Sequence, residues 1–238
     1  MTTLAAHPTY RAQFGEDRIL DQVFRGRTDG YFIEVGAYDG VTLSNTYRLE
    51  SLGWHGILVE PIPALCEKAA RSRTRARVYH GACSRRDHRG TARFTVTQGV
   101  PVLSFLKNDP EHTERCLREG ATLVEIDVPV CPLDDIIRHE RRNPHLGVGP
   151  WTPDVGWSID LVSIDVEGAE LDVLDGFSLD RFKPKVLVLE NERAGGSAIE
   201  PYLNQRGYSK FHRQVINDFY VRDDDFTRDL MTDGIVPP

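Results

Sequence analysis

Short apolar runs alternate with stretches of helical period along most of this chain, the pattern of βαβ units on a mostly parallel sheet. The spacing predicts a first helix from Glu16 to Phe24, because Ile19, Leu20, Val23 and Phe24 fall on one face. A strand follows from Tyr31 to Ala37 (YFIEVGA), then a glycine turn, then a helix from about Ser44 to Leu52 with Ser44 as N-cap. A second strand, His55 to Glu60, is stopped by Pro61 and Pro63, and a helix runs on from Pro63 to Arg71. A third strand is expected from Arg77 to Ala82.

From Ser84 to Trp157 the pattern is least regular. It holds two strand-like pieces, Ala92 to Thr97 and Thr122 to Val130, and a helix from Leu133 to His139. A loop rich in Pro, Gly and Trp follows, Arg141 to Trp157, and loops of that length in compact domains are often functional. The alternation then resumes with a strand Asp160 to Val166, a helix Ala169 to Leu174, a strand Lys185 to Glu190 and a helix Ala198 to Arg206. Two closing strands lie near Tyr208 to Val215 and Phe219 to Arg222. The expected fold is therefore a doubly wound α/β domain over residues 1–238, with an inserted cap segment at about 84–157.

Composition narrows the function. At 238 residues, 40% hydrophobic and 27% charged, the chain has the makings of one folded domain. The formal net charge of −7 gives no support for a nucleic-acid binder. No apolar stretch is long enough to span a membrane, and MTTLAAHPTYR has no secretory character, so a cytoplasmic protein is expected. Cys66, Cys83, Cys116 and Cys131 are scattered, with no CxxC pair, and read as reduced structural thiols.

The sharpest local signal is Glu34-Val-Gly-Ala-Tyr-Asp-Gly40 at the end of the first strand. Its glycines permit a tight turn and close approach of a ligand to the main chain. The G-x-x-x-G spacing is not that of a dinucleotide site. Glu60 closes the second strand, where a carboxylate accepts both hydroxyls of a ribose. Together these suggest a nucleoside without a diphosphate, which fits S-adenosylmethionine. Spacing alone leaves open a glycine turn beside a chance acid.

The blocks QFGEDRIL (Gln13 to Leu20), YFIEVGAYDGVTLSNTYRLE (Tyr31 to Glu50), GILVEP (Gly56 to Pro61), DLVSIDVEGAELDVL (Asp160 to Leu174) and KVLVLEN (Lys185 to Asn191) resemble the FkbM family of S-adenosylmethionine-dependent methyltransferases. The resemblance implies a class I methyltransferase fold, Rossmann-like, with a mostly parallel seven-stranded sheet, and O-methylation of sugar, polyketide or related hydroxyls. It implies cofactor contacts at Gln13, Gly36, Asp39, Gly40, Thr42, Asn45, Glu60, Cys83 and Asp165. The core is also similar to catechol O-methyltransferase-like enzymes. That likeness puts Thr42 near the methionine carboxylate, Cys83 and Ser84 near the adenine, and Asp165, Glu190 and Asn191 on a magnesium ion. Gly168 stands where those enzymes carry a catalytic lysine, so the base must differ.

Two carboxylates and a carboxamide at adjacent strand ends make a hard-oxygen set suited to Mg²⁺. The same acids could instead hold the strand-to-helix turn or touch the cofactor. For the base, His139 and His145 flank the irregular loop, and His145 is the choice, with Glu167 orienting it or the substrate and Asp165 as the third catalytic candidate. His7, His88 and His112 read as solvated, and His55 and His80 as structural. Arg71, Arg73, Arg75 and Arg77 read as a solvated face rather than a phosphate site. Trp151 and Trp157 could stack on a sugar or anchor the loop.

The expected activity is methyl transfer from S-adenosylmethionine to a hydroxyl of a small sugar or oligosaccharide, with a polyketide or other natural-product hydroxyl as the alternative acceptor. A nicotinamide-dependent oxidoreductase is disfavoured by the glycine spacing, and a non-catalytic cofactor-binding protein is the rival of another class. The assembly, monomer or homodimer, is not fixed by sequence.

Overall fold

A computed structural model describes residues 10–106, 109–142, 159–192 and 198–224. Seven strands form the main sheet: β1 (Tyr31–Val35), β2 (His55–Glu60), β3 (Ala76–His80), β7 (Leu161–Ile164), β8 (Val186–Glu190), β9 (Tyr208–Gln214) and β10 (Asn217–Arg222). Their order is β3-β2-β1-β7-β8-β10-β9, with β10 antiparallel to both of its neighbours and all other pairs parallel. The order reverses between β1 and β7, and open α/β sheets bind ligands at such a point, outside the carboxyl ends of the strands.

Strand periodicity sorts the side chains into two cores. Tyr31, Ile33, Val35, Ile57, Val59, Val162, Ile164, Leu187 and Leu189 face one side. Phe32, Leu58, Leu161, Val186 and Val188 face the other. Both sides are covered, which is why these strands read as unbroken apolar runs. The first core is closed by α5 (Leu133–Arg142), α6 (Glu170–Asp175), α7 (Leu179–Phe182) and α8 (Ile199–Asn204). Leu20, Leu49 and Ala69 close the second, from α1 (Glu16–Val23), α2 (Tyr47–Leu52) and α3 (Pro63–Ser72).

The irregular middle folds into a second sheet, in the order β4 (Ala82–Cys83), β6 (Thr122–Cys131), β5 (Gly90–Gln98), followed in sequence after β5 by a 3-10 turn, Pro101–Leu103, and α4 (Pro110–Arg118). The third strand ends earlier than its apolar pattern implied. At Gly81 the chain turns with φ +150°, where a Cβ would sit 2.9 Å from the Pro129 carbonyl oxygen, and Ala82 and Cys83 leave to pair with β6. α4 was missed because its exposed face is almost wholly charged. Its signal was Asp109-Pro110: Asp109 caps the Glu111 N–H and proline occupies the first turn.

Candidate active site

The loop after β1 is organised by a buried acid. Glu34 accepts hydrogen bonds from Ser44 Oγ (2.8 Å), the Asn45 N–H (2.8 Å) and Thr46 Oγ1 (2.6 Å). These contacts hold residues 44–46 outside the helix, so α2 starts at Tyr47 rather than at Ser44, although Ser44 Oγ still accepts from the Tyr47 N–H. Arg73, fully buried, binds the same loop: it donates to Gly40 O, Ser44 Oγ and Thr46 Oγ1 and pairs with Glu50 at 2.5 Å. The alternating arginines are therefore not one solvated face. Arg71 is exposed, and Arg73 is a core cation that no local pattern distinguishes from its neighbours.

Gly36 has φ +85°, and a Cβ there would lie 1.8 Å from the backbone oxygen of Asp165. The loops after β1 and β7 therefore meet through main chain, and only glycine fits. Beside them Glu60 is buried and accepts from the Tyr38 and Ile62 N–H groups, each at 2.8 Å. Burial pushes its pKa up to about 8 against the opposing pull of those two donors. A cavity opens here, enclosing about 920 Å³ with its open mouth included. Gly36, Thr42, Asn45, Glu60, Cys83 and Asp165 all line it. Its walls grade from apolar (Ile62, Leu65, Phe94, Leu106) to polar (Asn45, Ser163, Asp165, Glu167).

Beyond the polar end lies an acid cluster. One carboxylate oxygen each from Asp165, Glu167 and Glu190 lie within 4.8 Å of one another. Burial, and then the proximity of like charges, raises Asp165 to about 6 and Glu167 to about 9, and lifts Glu190 well above the ordinary range. Glu167 takes φ +55° and is followed by Gly168 at +94°, and Glu170 secures this turn by accepting from the Val166 and Gly168 N–H groups. A second cavity, lined by His112, Arg115, Glu167, Glu190, Asn191 and Ile199 among others, opens on this side, so Glu167 borders both.

A sequence profile of the methyltransferase FkbM domain matches residues 34–210, most of the chain. The chain belongs to the FkbM methyltransferase family. The matched domain is a methyltransferase domain, and the strand order agrees with the class I fold expected of it. Among solved structures, it is similar to the methyltransferase FkbM of Methylobacillus flagellatus (14% identity, TM-score 0.48), covering 82% of this chain and 44% of that one. It is also similar to a putative methyltransferase of Escherichia coli (13%, 0.45; 91% and 89%) and to precorrin-6y C5,15-methyltransferase of Geobacter metallireducens (12%, 0.44; 92% and 93%). The chain thus spans less than half of the Methylobacillus protein. No curated protein matches it.

Not every expected contact of this FkbM-family chain falls on the cavities. Gln13 is exposed and lines neither, its segment being tied to the loop after β1 by a bridge between Ala12 and Leu43. Asp39 turns back to accept from the Val41 and Thr42 N–H groups, an Asx turn that shapes the loop from behind. Gly40 packs on Ala69 and Arg73, where an added Cβ would lie only 3.0 Å from each. Ser84 faces His88, 3.0 Å from its Nδ1. Asn191 borders the second cavity, with Nδ2 donating to Asp218 (2.7 Å) and its carbonyl accepting from Arg213. Its carboxamide oxygen is the end not committed to Asp218. His139 lies against Tyr79, away from both cavities. His145, Trp151 and Trp157 lie outside the described residues.

The largest correction concerns His112, which is not a solvated side chain. It is about one-tenth exposed, its Nε2 lies 2.9 Å from the Leu103 carbonyl oxygen, and its Nδ1 lies 3.6 Å from Glu167. A carbonyl only accepts, so Nε2 carries a proton there, and Nδ1 is the ring nitrogen that faces Glu167.

Proposed function

We propose that this chain O-methylates a hydroxyl of a sugar or glycoside. The observation that carries the reading is the shared border of the two cavities: Glu167 lies between the nucleoside-sized cleft and a second cavity walled by carboxylates, arginine and asparagine. Such a wall of donors and acceptors suits a polyhydroxylated acceptor better than an apolar one. Glu60 accepts the ribose hydroxyls, and the purine lies toward Ile62, Leu65 and Phe94. The methyl-bearing end then points at Asp165 and Glu167.

Transfer is an in-line displacement. The acceptor oxygen bonds to the methyl carbon, the carbon–sulfur bond breaks, S-adenosylhomocysteine leaves, and the hydroxyl proton must go to a base. Glu167 takes that proton in its ionised form, set beside the His112 ring by its positive-φ turn. Burial raises its pKa to about 9, so the ionised form is a strong base, present as a minor fraction at neutral pH. The remainder of the work is alignment of the two reactants across the cavity border.

The residues present fit a divalent cation. Three converging carboxylates, Glu190 buried and Asp165 and Glu167 partly so, all with raised pKa values, form an all-oxygen set, the donor chemistry that hard cations take. Asp165, Glu190 and the Asn191 carboxamide oxygen would hold Mg²⁺. When bound, such an ion lowers the pKa of an acceptor hydroxyl. The test is release of S-adenosylhomocysteine across a panel of sugars and glycosides, with and without chelator. Turnover on sugars that is lost on chelation and restored by Mg²⁺ supports the whole reading. Turnover only on apolar phenols or macrolides removes the sugar, and cofactor binding without turnover on any acceptor removes the enzyme.

A further inference from the structure

We propose that the 3-10 turn Pro101–Leu103 is a positioning element of methyl transfer: one face touches the bound cofactor, and the carbonyl of Leu103 sets His112 against Glu167. The proposal rests on the cofactor reading above and adds a role for the inserted segment that neither the fold nor the family assigns.

The turn stands between the two cavities. Pro101, Val102 and Ser104 line the cofactor cavity, whereas Leu103, between them, is buried in a small core with Phe105, Cys116 and Ala121. Its carbonyl oxygen accepts from His112 Nε2 at 2.9 Å and from Cys116 Sγ at 3.7 Å, so the turn grips α4 at two points one helical turn apart. The Phe105 ring meets the His112 ring edge-on, with centroids 4.9 Å apart. The turn is itself braced. Ser104 Oγ donates to Pro101 O and accepts from the Thr97 N–H, and Phe105 pairs with Thr95 through both main-chain bonds. Few soft joints separate the cavity wall from the imidazole, so a shift of the wall is carried to His112 instead of being absorbed.

A second observation concerns the apolar side chains on this wall. Among the described residues, the large apolar side chains left exposed are Leu43, Val102, Leu117 and Val215. Leu43 and Val102 both line the cofactor cavity, each 38% exposed, one from the loop after β1 and the other from the inserted turn. Leu43 also holds φ +60°, a conformation unfavourable for a leucine, and such strain persists where surrounding structure imposes it. A cofactor seated in the cavity covers both side chains, and covering Val102 fixes the turn that holds His112.

The experiment reads binding and relay separately, with S-adenosylhomocysteine as the probe. Calorimetry gives affinity, and proton–nitrogen spectra of the histidine rings give the response of His112, assigned by the signal missing from His112→Asn. Saturation of the wild-type protein should shift the His112 ring signals. Val102→Ala should bind about fivefold more weakly, as expected for loss of part of one apolar contact. At its own saturation it should show a much smaller His112 shift, while Val215→Ala, remote from both cavities, behaves as wild type. An unmoved His112 in saturated wild-type protein, or a full-sized shift in saturated Val102→Ala, overturns the relay and leaves the cofactor reading standing. Absence of binding to the wild-type protein overturns the cofactor reading and the relay with it.

Discussion

Raising the pH on the metal-free protein should destabilise it, and neutralising Asp165 should remove part of that effect. Burial and neighbouring acids lift the Asp165 pKa from 3.8 to about 6. A carboxyl group whose folded pKa is raised holds its proton more tightly when folded, so its stabilising effect is complete below pH 3.8 and is lost as pH rises through 6. At ~1.4 kcal/mol per unit, the rise corresponds to ~3 kcal/mol in total. About half of that is lost between pH 5 and pH 8. For a domain of this size it corresponds to ~3–6 °C in Tm. The assay is thermal unfolding of the wild-type protein and of Asp165→Asn in chelator, at pH 5 and pH 8. The Tm of Asp165→Asn relative to wild type should rise by that amount over the interval. Adding Mg²⁺ at pH 8 should stabilise the wild-type protein and do little for Asp165→Asn, because the ion binds the ionised cluster. Parallel pH dependences in the two proteins, together with no effect of Mg²⁺, would refute both the strained cluster and its role as a cation site.

Three further outcomes are expected. Glu167→Gln should lower kcat by ~10²–10⁴ while leaving S-adenosylhomocysteine affinity close to wild type, measured by turnover and calorimetry. His145→Ala should turn over normally if Glu167 accepts the proton, and a loss of ~10²–10⁴ would return that role to the loop histidine. Arg73→Met should cost about 3–5 kcal/mol in denaturant unfolding, because it leaves Glu34 and Glu50 buried without their cation; a loss under about 1 kcal/mol would show that solvent replaces the guanidinium.

The strands of the main sheet were legible because parallel strands covered on both faces are unbroken apolar runs, and His55 to Glu60 was readable to the residue. Gly36 and Glu60 stood out for the same reason that the structure places them on one cavity: a tight turn and a strand-end acid are local in sequence. What could not be read is what the inserted segment contributes across space. Phe94, Val102 and His112 reach the cavities through a second sheet and a mostly charged helix, and nothing in the spacing of His112 sets it apart from an exposed histidine. Asp39 and Gly40 show the converse. They belong to the motif, yet they serve the loop's own geometry and its packing on α3. Ser44 was recognised as a capping residue, but Glu34, ten positions earlier, holds it and delays the helix.

The most direct test of the account is calorimetric titration of S-adenosylhomocysteine into the wild-type protein and Glu60→Ala. Glu60 lies in the cavity where the two loops meet, and hydrogen bonds from ribose hydroxyls to a carboxylate are worth ~1.5–3 kcal/mol. The account predicts measurable binding to the wild-type protein and a loss of about 10- to 100-fold in Glu60→Ala. Equal affinity in the two proteins, with the variant folded by circular dichroism, would contradict the placement of the cofactor on which the acceptor side, the acid cluster and the His112 relay all depend.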